Sequence, residues 1–355
     1  MTRLAIVGGG ISGLTLAYAL EQLENEGLRT DIDLYEATSE VGGVIQTAWY
    51  DTWPVELGPD SLVDRQRGAV ELCRRIGLEK NLVGIRASAK PPLMRTAEGF
   101  KPFPHTETRS YTMAGGVSQL PQVLTQFLHR TTIYLRTAIS QVVRNEDGWY
   151  LNGDRGPYRG LVLALPASAL PDLLRDVDID VSWAKQVVYH PRAVMAAVYD
   201  RDSFVDQALL AHTGFIVSPE AELGLTALTW LSSKWAHYPE GAPIICRTFW
   251  GPPARDPDQW LDDEVQTLHE NALNRLVGPH DPPIWTKLVR YHTALPQIPQ
   301  GSAWQSSVRF ANVRFYLGVL GPYREGPGVS DCVRVAWEEA YRYAQWANSI
   351  NVGLS

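Results

Sequence analysis

Gly8-Gly9-Gly10-Ile11-Ser12-Gly13 is a G-x-G-x-x-G run, and glycines at that spacing do one kind of chemistry well. Gly8 permits a tight turn, Gly10 lets backbone approach a pyrophosphate, and Gly13 lets the following helix pack closely on the preceding strand. Glu36 stands 23 positions after Gly13. A carboxylate there accepts hydrogen bonds from both hydroxyls of an adenosine ribose, and its charge repels a 2′-phosphate. A second Gly/Pro-punctuated run, "LGPYREGPGVSDC" at 320–332, opens directly onto the amphipathic stretch "VRVAWEEAYRYAQWA". Backbone N–H groups and the positive end of a helix dipole converge at such a junction, so it has the makings of half an anion site.

The elements around these runs decide how they are read. "RLAIV" (3–7) reads as a short buried strand, Leu14, Leu16, Ala17, Ala19, Leu20 and Leu23 as a helix, and "DIDLYEA" (31–37) as a second strand. Strand, glycine run, helix, strand is the context that gives the motif its meaning. Further along, the spacing predicts helices over 66–78 and within 113–130, and a hairpin at Asn145–Gly148. A buried strand and a proline turn follow in "YRGLVLALPASALPDLL". From about residue 181 the composition shifts to aromatic strand-like segments: "VVYHPRAVMAAVYD", "GFIVS", "LTALTWLSS" and "PIICRTFWG". A helix over 262–278, a strand in "PIWTKLVRYHTALPQ" and a terminal strand (314–319) with its helix complete the chain.

Composition narrows the class. A chain of 355 residues asks for two domains or one large α/β domain with an insertion. A net charge of −7 argues against a nucleic-acid partner, which needs clustered Lys and Arg. Three widely spaced cysteines, Cys73, Cys246 and Cys332, make neither a disulfide framework nor a zinc pattern, and point to a cytoplasmic protein. No signal peptide and no membrane-spanning run are expected. No metal site is expected either. Of the twelve tryptophans, ten follow residue 148, which fits either core packing or a large apolar substrate surface.

"IVGGGISGL…LYEATSEVGGVIQT…VELGPDSLV" resembles the N-terminal FAD signature of the flavin amine oxidase superfamily, and most of all the protoporphyrinogen/coproporphyrinogen oxidases. "AVELCRRIGLEKNLV", "MAGGVSQLPQVL", "LVLALPASALPDLL", "RYHTALPQ" and "GPYREGPGVSDC" extend the resemblance over nearly the whole length. It implies an α/β fold: a Rossmann-like FAD-binding domain of discontinuous segments (1–85, 112–180, 304–355) with an inserted mixed-sheet substrate domain (86–111, 181–303). It also implies that Gly8, Gly10, Ile11, Ser12 and Gly13 hold the pyrophosphate, Glu36 and Ala37 the adenosine, and Gly42 and Gly43 the pyrophosphate's flank. Gly58, Pro59 and Asp60 would run beside the isoalloxazine, and Ile139 would meet the adenine through its backbone. Tyr291 stands where the family usually has a flavin-proximal Trp. Gly321, Gly328 and Val329 would form the far end of the site, where the last helix points at the flavin.

The chain departs from that pattern in three places. Only "HTETRSYT" (105–112) stands where relatives carry a long, mostly helical segment that covers the substrate. Gln46 replaces the basic residue usual after the Gly-Gly pair. Gly321-Pro322 and Val335-Ala336 replace, respectively, a Gly-Asp or Gly-Asn and a Ser-Gly. The expected activity is an FAD-dependent oxidation that takes hydride from a mid-sized, partly apolar, cyclic substrate, with dioxygen as acceptor and a homodimer as one assembly. An alternative keeps FAD as a scaffold, or dispenses with it, for a non-redox step or an accessory role. Trp230, Trp250, Arg290 and Tyr291 are the pocket candidates. The scattered His190, His212, His237 and His292 read as structural.

Overall fold

The computed structural model describes residues 2–23, 29–104, 108–205, 207–252, 259–297 and 314–352. β1 (Thr2–Val7), α1 (Ile11–Leu23) and β2 (Thr30–Tyr35) come first, then the hairpin β3 (Thr47–Tyr50) and β4 (Trp53–Glu56), β5 (Leu62–Val63), α2 (Ala69–Arg75) and β6 (Leu82–Gly84). A second hairpin, β7 (Leu93–Thr96) and β8 (Gly99–Pro102), precedes β9 (Ser110–Met113), α3 (Gln119–Gln126) and β10 (Thr131–Tyr134). The meander β11 (Val142–Arg144), β12 (Trp149–Leu151) and β13 (Arg155–Tyr158) leads to β14 (Gly160–Leu163) and α4 (Leu170–Leu173). Next come β15 (Val188–Tyr199), β16 (Gly214–Val217), β17 (Leu225–Trp230), the single turn α5 (Leu231–Lys234), β18 (Ile244–Trp250), α6 (Asp262–Val277) and β19 (Trp285–Gln297). β20 (Tyr316–Val319) and α7 (Val329–Val352) follow.

Five strands form a parallel sheet in the order β10-β2-β1-β14-β20. β14 is buried throughout and β1 nearly so, as expected of strands covered on both faces. α1 and α7 cover one face through Leu14, Leu20, Val333, Ala336 and Ala340. The meander and α4 cover the other through Trp149, Leu151, Leu170 and Leu173. The loops after β1, β14 and β20 all leave the same edge, the carboxyl ends of the strands, where open α/β sheets bind ligands.

The second sheet has seven strands in the order β19-β15-β18-β17-β16-β7-β8. α6 covers one face, packing Leu273 and Leu276 on Met195, Trp230, Cys246 and Trp250. On the opposite face Ala196, Val198 and Ile245 meet Trp235 and the β3–β4 hairpin residues Val55 and Leu57. Strand alternation therefore splits β18: Cys246, Thr248 and Trp250 go to α6, while Ile245, Arg247 and Phe249 look toward the first sheet's assembly.

Element boundaries shift where turn chemistry intervenes. The helix expected over 66–78 spans only Ala69–Arg75, because Gly68 caps it in an extended conformation and Gly77 (φ +77°) leaves the helical region. "LTALTWLSS" stops being a strand at Trp230, where α5 begins. The final helix starts earlier than its amphipathic pattern, at Val329, so part of the glycine-rich run is itself helical.

α6 also buries a polar chain. Nε2 of His269 lies 2.8 Å from the Tyr199 hydroxyl, its Nδ1 lies 2.8 Å from the Thr248 hydroxyl, and Trp250 Nε1 donates to Thr248 at 2.9 Å. Burial first, and then the neighbouring His280, push His269 down to about 3. The folded protein thus keeps His269 neutral where the unfolded chain protonates below about pH 6.5, so stability falls as pH drops through that window. We expect His269 alone to remove about 2 kcal/mol between pH 6.5 and pH 5. Urea midpoints at the two pH values measure it, and a His269→Gln variant should show a correspondingly shallower loss.

Candidate functional site

Four segments far apart in sequence meet at the carboxyl edge of the parallel sheet. Gly13 lies so close to the β1 turn that a Cβ there would sit 2.0 Å from the Gly8 carbonyl oxygen. That contact sets the start of α1, whose first N–H groups lack intrahelical partners. A Cβ on Gly10, by contrast, would meet nothing within 4 Å. The second glycine pair closes on the first: Gly42 N–H donates to the Gly9 carbonyl at 2.9 Å, and Gly43 faces the Gly10 Cα.

Glu36 ends β2 beside this turn. Its Oε2 accepts from Gly9 N–H at 2.8 Å, and its Oε1 accepts from Thr38 N–H and Oγ1, each at 2.8 Å. A carboxylate has about four acceptor positions. Three are filled, so Glu36 has room for one ribose hydroxyl rather than two. Ala37 is exposed next to it. Ile139 is held nearby, because Thr137 N–H donates to the Glu36 carbonyl at 2.8 Å and Asn152 clasps the turn from Ala138 to Gln141. If Glu36 holds a ribose, a Glu36→Ala variant should bind FAD at least about tenfold more weakly, since one lost charge-assisted hydrogen bond costs about 1.5–3 kcal/mol. Fluorescence titration measures this, and an unchanged affinity contradicts the assignment.

The C-terminal run comes to the same edge. Leu320 N–H donates to the Leu163 carbonyl, Gly321 (φ +156°) turns the chain, and Tyr323 is buried beneath it. Gly328 then accepts from Asp331 and Cys332 N–H in the first turn of α7, and Ser12 lies against the Cys332 thiol. The starts of α1 and α7 are therefore neighbours, although some three hundred residues separate them. Asp331 pairs with Arg65 at 2.5 Å, and the Ser330 hydroxyl donates to the Val63 carbonyl at 2.6 Å. Val335 and Ala336 lie in the second turn of α7, in the hydrophobic core. Pro322 is half-buried, and Gln46 donates to the Gly43 carbonyl at 3.2 Å.

Val44, next to Gly43, packs its backbone on Gly58. A Cβ on Gly58 would lie 1.8 Å from the Val44 carbonyl oxygen, so only glycine fits. Two residues on, Asp60 is buried among cations. Lys234 Nζ and Arg247 Nη2 each approach its carboxylate to 2.8 Å, and Trp235 Nε1 donates to it at 3.0 Å. Burial alone would raise the Asp60 carboxyl, but Lys234 and Arg247 outweigh it and hold it well below the usual carboxylate range. Arg247 also donates through Nη1 to the Gly58 carbonyl. Glu56 is buried nearby, accepting from Val117 N–H and the Thr47 hydroxyl, and burial pushes it up to about 7.

Next to Asp60, at Ser61, begins a cleft of about 580 Å³. Ser61, Val63, Arg65 and Lys234 line its near side, and Ile85, Phe103, Phe215 and Leu228 its apolar walls. Phe103, Pro104 and Thr108 flank the short connection expected to stand for a longer segment; residues 105–107 of that connection, like the expected domain limit at 303–304, lie outside the described residues.

Of the four pocket candidates, three are placed elsewhere. Trp230 and Trp250 are fully buried on the α6 face, and Arg290 pairs there with Asp262 at 2.5 Å and with the Trp260 carbonyl. Alternation explains it: Trp250, Ala193 and Arg290 share one row of the sheet and one face. Tyr291, one residue on, faces Arg247 and Glu56, and its hydroxyl is buried without a partner. Arg247, Lys234, Trp235 and Glu56 were not singled out from the sequence. The parity of β18, read from its apolar residues, would have pointed to Arg247.

These residues fit FAD. There are an open glycine turn at a helix start, a carboxylate with one free acceptor position, two meeting helix N-termini, and two orphaned donors, Arg247 Nε and Tyr291 Oη, beyond Gly58. Among the described residues no cluster of His, Cys, Asp or Glu could hold a metal ion, and no helix is long and apolar enough to cross a membrane.

Comparison with known proteins gives the same picture. Residues 6–76 match the NAD(P)-binding Rossmann-like domain, and residues 94–317 match the flavin containing amine oxidoreductases. Coproporphyrinogen III oxidase of Bacillus subtilis is 22% identical over 452 positions, covering 93% of this chain and 95% of that one. That alignment is longer than this chain's 355 residues, so the relative carries segments absent here. An Exiguobacterium protein, provisionally described as a protoporphyrinogen oxidase, superposes with a TM-score of 0.85 at 21% identity, over 97% of this chain and 99% of its own. Cyclohexylamine oxidase from Brevibacterium oxydans gives 0.73 at 13% identity, over 97% and 99%.

Proposed function

The chain belongs to the flavin-containing amine oxidoreductase family, with FAD as cofactor, and from that premise we propose that it oxidises a mid-sized, partly apolar cyclic substrate seated in the cleft beyond Asp60. The cleft carries the reading: it begins at Ser61, next to Asp60, its walls are largely apolar, and its described lining includes two cations and no carboxylate. A protonated amine finds no counter-charge there, whereas an uncharged or anionic ring does well. A porphyrinogen-like ring, the substrate type named for several relatives, fits that chemistry.

Bound FAD would supply the hydride acceptor. This chain's residues do the rest. Gly10, the α1 start and the α7 start hold the pyrophosphate and ribityl end; Glu36 and the Ile139 turn hold the adenosine. Gly58 and Asp60, braced by Arg247 and Lys234, fix the redox end against the cleft. Phe103, Phe215, Ile216 and Leu228 orient the substrate and exclude water. Dioxygen as terminal acceptor belongs to the same reading, as does the division into an FAD domain (1–85, 112–180, 304–355) and a substrate domain (86–111, 181–303). Three buried, unpaired cysteines support a cytoplasmic setting.

Anaerobic mixing tests the substrate class. Coproporphyrinogen III, protoporphyrinogen IX or a smaller partly reduced N-heterocycle should bleach the flavin band, while cyclohexylamine and putrescine leave it unchanged. Bleaching by the amines alone would overturn the reading.

A further inference from the structure

The charges around Asp60 do not balance. Lys234 and Arg247 share its single carboxylate, and both are largely withdrawn from water, with side chains 17% and 1% exposed. Arg65 is already matched by Asp331. Glu56, the next carboxyl, is buried, spends its oxygens on the Val117 N–H and the Thr47 hydroxyl rather than on either cation, and is pushed up by that burial, while the Tyr238 and Tyr291 hydroxyls are neutral. One positive charge is therefore in surplus in a place where uncompensated charge is costly. Its position is telling. Arg247 donates to the Gly58 carbonyl, and Lys234 lines the cleft beside Ser61, so the surplus sits between the Gly58 backbone and the substrate cleft.

Resting on the function proposed above, we propose that Arg247 and Lys234, sharing Asp60, set the reduction potential of the bound flavin, holding it higher than a charge-balanced site would. A hydride brings two electrons and one proton from the substrate C–H bond, so the cofactor gains a negative charge until a second proton follows. A standing positive charge favours that state. These are positioning residues in the electrostatic sense; neither transfers a proton. Lys234 spends two of its three donors on Asp60 and Ser61, and its ammonium rests 4.5 Å from the Trp235 ring centre, which fixes the charge in place.

The test is the midpoint potential of the holoprotein, equilibrated against a reference dye at pH 6, on the acid side of the raised Glu56 carboxyl. Arg247→Met and Lys234→Met should each lower the equilibrium constant for two-electron reduction about 10- to 30-fold, the order expected for one charge in an effective dielectric of about 20. That is a fall of about 30–45 mV. Arg247→Lys, which keeps the charge, should stay within about threefold of the parent. If Arg247→Met fails to fold, Lys234→Met reads the same surplus from a less buried position. Folded variants with FAD bound at the parent potential overturn the proposal. So does an unchanged potential with weakened binding of benzoate, an apolar carboxylate probe, which assigns the charge to the substrate. A parent protein that holds no FAD fails earlier, at the proposed function, and takes this inference with it.

Discussion

Asp60→Asn is expected to destabilise the folded protein by about 3–5 kcal/mol and to strip it of flavin, because it leaves two cations buried without their counter-charge. Lys234, Arg247 and Trp235 all converge on this carboxylate, and through Arg247 it braces the Gly58 carbonyl against which the cofactor's redox end would lie. The sign of the pH effect follows from the same contacts. The folded-state carboxyl is held well below its unfolded value of about 3.9, so its stabilisation is fully present above about pH 4 and is lost as pH falls below that. Asp60→Asn should remove that acid limb, while leaving the His269 limb between pH 6.5 and 5. Adding Lys234→Met to Asp60→Asn restores the original surplus of one charge and should recover part of the lost stability. Urea denaturation of the three proteins at pH 7 and pH 3.5 measures both effects; an Asp60→Asn protein within 1 kcal/mol of the parent would be inconsistent with a shared buried carboxylate.

Gly10→Ala and Gly13→Ala should part company. A Cβ on Gly10 meets no protein atom within 4 Å, so the apoprotein should melt within about 2 °C of the parent. The same methyl would point at the proposed pyrophosphate, and FAD affinity should fall about tenfold to a hundredfold, the scale of overpacking costs of about 1–3 kcal/mol. Gly13→Ala instead drives its Cβ to within 2.0 Å of the Gly8 carbonyl oxygen, a backbone atom that cannot yield without moving α1 off β1. It should therefore lose both stability and flavin. Calorimetry of apoproteins beside fluorescence titration with FAD separates the two outcomes, and equal melting losses for both variants would refute the open-sided turn.

Much of this site was readable in the chain before folding. The Gly8–Gly13 run and Glu36 are local: thirty residues of strand, turn, helix and strand carry their meaning, and the structure puts them together. The C-terminal run at 320–332 was readable as half of a candidate anion site only because it opens a helix; that its helix start meets the start of α1 is a tertiary fact. The pocket candidates show where local reading ends. Trp230, Trp250 and Arg290 are aromatic or charged in the right segments, yet a strand sends alternate residues to opposite faces, and these three fall under α6. Arg247 and Lys234 carry no motif at all. Their role comes from Asp60, 174 and more residues away in sequence, and no spacing rule links a buried carboxylate to such distant partners. Glu36 was legible in kind but not in capacity, because the Thr38 and Gly9 donors that fill three of its acceptor positions depend on the turn's folded shape.

The central claim is that the starts of α1 and α7, joined by Glu36 at one end and the Asp60 cluster at the other, form a single FAD site. Titrating the folded, purified protein with FAD and reading flavin absorbance in the bound fraction tests it most directly. One FAD per chain, with affinity lowered in Gly10→Ala and Glu36→Ala, is the expected result. A folded protein that takes up no flavin at saturating FAD would contradict the account and leave the Rossmann-like domain as a scaffold without its cofactor.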